Sequence, residues 1–191
     1  MEDWGFHGSI ILPGIDADDY GAYSGEVERV LRVGNGLRER DVMLGYSIQE
    51  RVSHGLPTTI LGLNALIPHA LLPKDWDAYR AFLRGHRVYL NTTVEPYEDG
   101  YNLSMLEAMA TGMPVVSTDN STSPIEDGVS GYASKDEAEL RAALETLLKD
   151  RRLAVSIGKR ARERVLDLFP IQKFVDNWRA VLGDEPVRPM P

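Results

Sequence analysis

Residues 99–116 read DGYNLSMLEAMATGMPVV, and the order of residue types within them decides the fold. Upstream, 87–93 reads as a strand, rich in β-branched and aromatic residues, and a loop separates it from this stretch. Leu103 to Ala110 has the compact apolar pattern of a buried helix, Gly112 and Pro114 turn the chain, and Val115 to Thr118 forms another strand rich in β-branched residues. Strand, helix and strand in that order make a βαβ unit, whose two strands run parallel.

The same alternation continues outward in both directions. A short strand is expected over 8–12, closed by Pro13 and Gly14, and another over 27–33, ended by Gly34 and Gly36. Val42, Leu44, Ile48 and Val52 fall on helical spacing and predict a helix over 41–54, with Asp41 as N-cap and Gly55 as C-cap. A strand over 58–63 follows, then a segment broken by Pro68 and Pro73, then a helix over 75–84. Gly128 and Gly131 bracket a tight turn, and helices are expected over 135–149, 152–169 and 172–182. Apolar strands without polar alternation, separated by helices, predict an α/β domain: a doubly wound, Rossmann-like parallel sheet with helices on both faces. The expected division is a lead-in segment over 1–26, a Rossmann-like body over 27–170, and a last helix with its tail over 171–191.

Composition narrows the partners. The chain has 191 residues, 43% of them hydrophobic, enough for one core. Its net charge of -8 argues against nucleic acid, which requires a basic face. The basic residues gather in 149–164, which keeps a peripheral membrane contact open, although a solvated helix face is the plainer reading. The absence of cysteine removes disulfides and thiolate metal sites, and no apolar run reaches the ~18 residues of a spanning helix. A cytoplasmic protein is expected.

In a parallel sheet, ligands lie beyond the carboxyl ends of the strands, so the loops at 34–40, 62–64 and 93–102 hold the candidate site. Backbone N–H groups of Gly100, Tyr101, Asn102 and Leu103 precede a helix whose dipole favours a phosphate or sugar hydroxyl there. Glu107, one turn on, can accept from two ribose hydroxyls, and Asp99 can accept from the transferred sugar. Both acids also suit a helix N-terminus with no ligand at all.

The stretch as a whole resembles the signature of the retaining GT-B glycosyltransferases, the group that includes glycogen synthases and bacterial lipopolysaccharide mannosyl- and glucosyltransferases. That signature is a Glu, seven residues, a second Glu, and Ala-Met-Ala-x-Gly-x-Pro-Val-Val. Glu107 matches the second Glu, residues 108–116 match the rest, and Asp99 stands where the first Glu belongs, with Glu98 beside it. Pro13-Gly-Ile-Asp16 is similar to the family's turn into its second domain, and Asp127-Gly128 to Gly131 to its Asp-Gly-x-x-Gly turn. The resemblance implies that Asn35, Gly36, Arg38 and Arg40 surround the donor diphosphate. Arg40 takes the place of a family Lys, and Asn35 that of an Arg, with Arg38 as its substitute.

What the resemblance implies is hexosyl transfer from a nucleoside-diphosphate sugar with retention, with Asp99 and Glu107 as the catalytic acids. The acceptor site would lie in an N-terminal domain missing from this chain, either in a longer enzyme or in a partner subunit, so the domain alone would transfer little. A non-catalytic interaction or regulatory module of the same fold is the alternative, and a nucleotide-sugar epimerase a further one. Other signals are discounted. Asp16-Ala-Asp18 imitates a metal motif inside a turn, and no metal is expected. Gly34 and Gly36 lack the third glycine of a dinucleotide fingerprint, since position 39 is Glu39. His86 reads as a loop residue, Trp76 and Tyr79 as core anchors, and Phe174 with Trp178 as the docking face of the last helix.

Overall fold

The computed structural model describes residues 10–16, 18–97 and 101–183. Five strands, β1 (Val27–Val33), β2 (Thr58–Leu61), β3 (His86–Asn91), β4 (Val115–Thr118) and β5 (Tyr132–Ser134), form one sheet in the order β2-β1-β3-β4-β5. Every pairing is parallel. Among the described residues seven helices accompany them: α1 (Asp41–Leu44), α2 (Tyr46–Val52), α3 (Trp76–Gly85), α4 (Leu103–Thr111), α5 (Glu137–Lys149), α6 (Arg151–Leu168) and α7 (Ile171–Leu182). This is the doubly wound, Rossmann-like architecture that the alternation predicts.

The strands are apolar on both faces because both faces are covered. Leu31, Leu61, Tyr89 and Val115 pack with α3, α4 and the end of α6, while Val30, Val88, Leu90 and Val116 pack with α2 and α5 on the other side. Each buried aliphatic side chain contributes roughly 1.5–3 kcal/mol, which is why a four-residue strand such as β4 holds its place. Arg32, on the same strand as Val30, is buried nonetheless: its guanidinium donates to Gln49, Glu50 and Ser53 of the α2 region.

Local chemistry sets the helix ends. Asp75, Asn102, Asp136 and Asp150 each accept a backbone N–H of the first turn of α3, α4, α5 and α6. The helix expected over 41–54 is divided, because Gly45 adopts φ 60° and a Cβ there would stand 2.2 Å from the Thr92 carbonyl oxygen. The strand expected over 58–63 ends at Leu61, and residues 10–12 of the one expected over 8–12 are not in a strand, while Gly8 and Ser9 lie outside the described residues.

Several side chains have other roles than their sequence context suggests. His86 opens β3 in the interior, its ring between the Phe82 carbonyl at 3.0 Å and the Thr59 hydroxyl at 2.9 Å. Tyr79 is a core residue, but Trp76 is 44% exposed. The basic stretch is largely engaged by the protein itself: Arg151, Arg160, Arg162 and Arg164 donate to the carbonyls of Ser24, Val129, Ala110 and Pro124. Among the described residues no helix is long and apolar enough to cross a membrane.

Candidate functional site: a cleft at the carboxyl ends of the strands

The chain runs from β1 to β2 on one side of the sheet and on to β3 on the other, so the gap above β1 and β3 is the topological switch point. A cleft of about 600 Å³ opens there, within the ~300–1,000 Å³ usual for a small-molecule site. Its floor and one wall come from the end of β1, with Val33, Gly34, Asn35, Arg40 and Leu44. The facing wall is the start of α4, with Tyr101, Asn102, Leu103 and Ser104. Ile11, Pro13, Phe174 and Trp178 complete it.

The β1 wall is fastened to the loop after β2. Asn35 Oδ1 accepts from the Leu63 N–H at 2.8 Å, while Asn64 accepts from the Leu37 N–H and donates to the Gly34 carbonyl, both at 2.8 Å. Two asparagines thereby hold the loop that presents Arg40. Arg40 is exposed at the cleft and forms no ion pair with an acid among the described residues. On the opposite wall, Asn102 caps α4 by accepting the Met105 N–H at 2.9 Å. Leu103 and Ser104, at the first two positions of the helix, have N–H groups with no intrahelical acceptor, and the positive end of the helix dipole lies with them. An anion placed in the cleft would find these amides on one side and a guanidinium on the other.

The structure thus brings Asn35, Arg40, Tyr101, Asn102 and Leu103 together around one cleft. Gly36 and Arg38 are not among its lining residues; Gly36 forms the positive-φ turn at 57°, and Arg38 is exposed elsewhere on the loop. Asp99 and Gly100, with Glu98, lie outside the described residues. Trp178, read from sequence as a docking residue, is 41% exposed, and with Phe174 at a ring distance of 6.3 Å it walls the cleft.

Glu107 lies one helical turn beyond Leu103 and is not among the residues lining the cleft. Its Oε1 accepts from the Tyr20 hydroxyl at 3.1 Å and its Oε2 from the Tyr79 hydroxyl at 2.6 Å. Burial pushes its carboxyl pKa up, and the two phenol hydrogen bonds, Tyr79 first, oppose that rise. Burial, with the Glu107 charge second, raises both phenols well above their ordinary range, so they remain donors at any physiological pH. Sequence reading found Glu107 but not these partners, because Tyr20 is 87 residues away along the chain and nothing local announces the contact.

The imitation of a metal motif resolves into a turn. Asp16 accepts the Asp18 N–H at 3.0 Å, and Asp19 pairs with Arg80 at 3.2 Å. Among the described residues no cluster of three or more His, Asp or Glu is placed to hold a metal ion.

A Rossmann-like sheet of this order has its cleft at the switch point, the place where folds of this class hold ligands. The family profile described as Glycosyl transferases group 1 matches residues 33–150, and the chain belongs to that family. It is 33% identical over 91 residues to N-acetyl-alpha-D-glucosaminyl L-malate synthase of Bacillus anthracis, covering 46% of this chain and 24% of that protein. In fold it is similar to Anabaena HepE, solved in complex with UDP and glucose, at a TM-score of 0.69, 14% identity, 93% of this chain and 57% of that one. It is similar as well to the C-terminal domain of a glycosyl transferase group 1 family protein of Francisella tularensis, at a TM-score of 0.63, 16% identity, 83% of this chain and 100% of that one.

Proposed function

We propose that this chain is the donor-binding domain of a glycosyltransferase that moves a hexose from a nucleoside-diphosphate sugar to an acceptor with retention of configuration. The acceptor site belongs, on this reading, to an N-terminal domain, in the same longer chain or in a partner subunit. The observation that carries the reading is the pairing, across one cleft, of the uncapped Leu103 and Ser104 amides of α4 with an Arg40 that has no acidic partner among the described residues.

In physical terms the diphosphate lies between those two groups. Charge grows on the diphosphate as the glycosidic bond to it breaks, and preoriented amides and a guanidinium stabilise that charge without reorganising. They are the groups assigned to neutralise it, so no role is assigned to a metal. Glu107 accepts from the ribose, and Asp99 from the sugar. With half the site on another domain, the isolated chain binds donor and transfers little. Family membership and the fold likeness to HepE, a protein solved with UDP and glucose, support this reading. The reading also makes the chain a cytoplasmic protein, in keeping with its lack of cysteine. Any peripheral contact with an anionic membrane would fall to the exposed Lys149 and Arg152.

A thermal-shift series with UDP, GDP, ADP and their sugar conjugates tests the proposal. A ligand at 100 times its dissociation constant stabilises the fold by about 2.7 kcal/mol. One nucleotide should raise the melting temperature of the wild type and fail to do so in Arg40→Ala. If a folded wild-type protein shifts with none of them, the alternative of an interaction module with the same fold is favoured.

A further inference from the structure

Glu107 is held in an unusual way for a carboxylate one helical turn from the wall of a binding cleft. It is half-buried, it has no cationic partner among the described residues, and each of its oxygens accepts one phenol. The phenols arrive from different places. Tyr79 comes from α3, and Tyr20 from the lead-in segment, where Trp76 meets it edge-on at 6.1 Å and packs on Tyr79 at 5.2 Å. The Arg80 side chain fixes this lead-in segment by donating to the Asp19 carbonyl and carboxylate.

A carboxylate offers about four lone-pair directions, two on each oxygen. One phenol on each oxygen therefore leaves one direction on each, which is the pattern that two adjacent hydroxyls require. We propose that Tyr20 and Tyr79 are positioning residues for Glu107, holding its carboxylate in one orientation with a free lone pair on each oxygen for the vicinal diol of a bound ribose. This rests on the donor-binding reading above and extends it to Tyr20, which the sequence pattern does not single out, and to Tyr79, which it reads only as a core anchor.

The phenols also keep the acid ionised. The titratable groups facing Glu107 are Tyr20 from the lead-in segment, Tyr79 from α3 and Tyr89 from β3; Asp19 and Arg80 act on Tyr20 and pair with one another. Burial raises the carboxyl pKa and the phenol bonds lower it, so loss of either phenol moves it further up. Once protonated, the group loses much of its capacity to accept a diol.

The test is calorimetric titration of the whole chain with UDP, GDP and ADP, each beside its 2′-deoxy analogue, at about pH 6 and about pH 8.5. Wild type, Tyr20→Phe and Tyr79→Phe are compared. The wild type should prefer the ribonucleotide it binds by about tenfold at both pH values, the size expected for a hydrogen bond to a charged acceptor. In either variant that preference should shrink, and more so at the lower pH than at the higher, with affinity for the deoxy analogue unchanged as proof that the fold and the phosphate contacts survive. A wild-type preference retained by both variants at both pH values overturns the positioning role while leaving donor binding intact. Absence of binding by wild type to any of the three nucleotides overturns the donor-binding reading and this inference with it.

Discussion

Replacing Gly158 by alanine should destabilise the protein although it removes a glycine from the middle of a helix. Gly158 lies inside α6 where that helix crosses the end of α4, and a Cβ built there meets the Gly112 carbonyl oxygen at 1.9 Å and Pro114 Cδ at 3.3 Å. The first contact is more than an ångström too short, and the obstacle is backbone rather than the end of a side chain. Gly112 is the left-handed C-cap of α4, at φ 92°, so it cannot rotate away without releasing the cap. In isolation Gly→Ala in a helix gains about 1 kcal/mol. Overpacking costs about 1–3 kcal/mol, and a backbone obstacle that cannot move puts this site at the upper end, so the clash wins by about 2 kcal/mol. For a chain of this length that corresponds to a fall in melting temperature of roughly 4–8 °C. Urea and thermal denaturation of Gly158→Ala measure it, with Lys159→Ala, one residue along on the exposed face, as a control expected within about 0.5 kcal/mol of wild type. A Gly158→Ala protein as stable as wild type, or more so, would refute the claim that α4 and α6 touch through backbone here.

Acid should weaken the fold through His86. Burial, helped by Arg29, holds its imidazole below the ordinary value of about 6.5, while the Phe82 carbonyl acts the other way. The unfolded chain therefore binds the proton first: stability is full above about pH 6.5, falls as pH drops below it, and levels off below the depressed folded value. Denaturation midpoints measured across that window should slope in the wild type and flatten in His86→Gln; an equal slope in both proteins assigns the acid sensitivity to another group. Asn102→Ala should cost about 1 kcal/mol by removing the cap of α4, and it should loosen the amides that face the cleft. Calorimetry with the nucleotide that the chain binds should accordingly show weaker affinity, and unchanged affinity would mean that the first turn of α4 is not a phosphate contact.

How much of this was legible in the sequence depended on how local each cause was. β1 and β4 were legible to the residue, because adjacent apolar side chains such as Val30 with Leu31 and Val115 with Val116 must both be buried, and only a sheet covered on both sides allows that. The start of α4 was legible from its compact apolar pattern beginning at Leu103, whereas the Asn102 cap that fixes it emerged only with the structure. Gly45 splits the expected helix because of Thr92, 47 residues later, and periodicity carries no such information. His86 was misread because Thr59 and Phe82, which bury it, belong to other elements. The cleft residues at 35, 40 and 101–103 were found from loop position and family resemblance. Its far wall, from Ile11 and Pro13 to Phe174 and Trp178, is assembled from the two ends of the described chain and has no local signature.

The central claim is that the diphosphate of a nucleotide sugar binds between α4 and the loop after β1. Amide chemical shifts of the uniformly 15N-labelled protein, followed during titration with the nucleoside diphosphate that stabilises it, test this most directly. The account predicts the largest changes at Leu103 and Ser104 and in the loop carrying Asn35 and Arg40, and their loss in Arg40→Ala. Changes gathered elsewhere, such as around the exposed Val129 and Val155, or no changes from a folded protein, would contradict it.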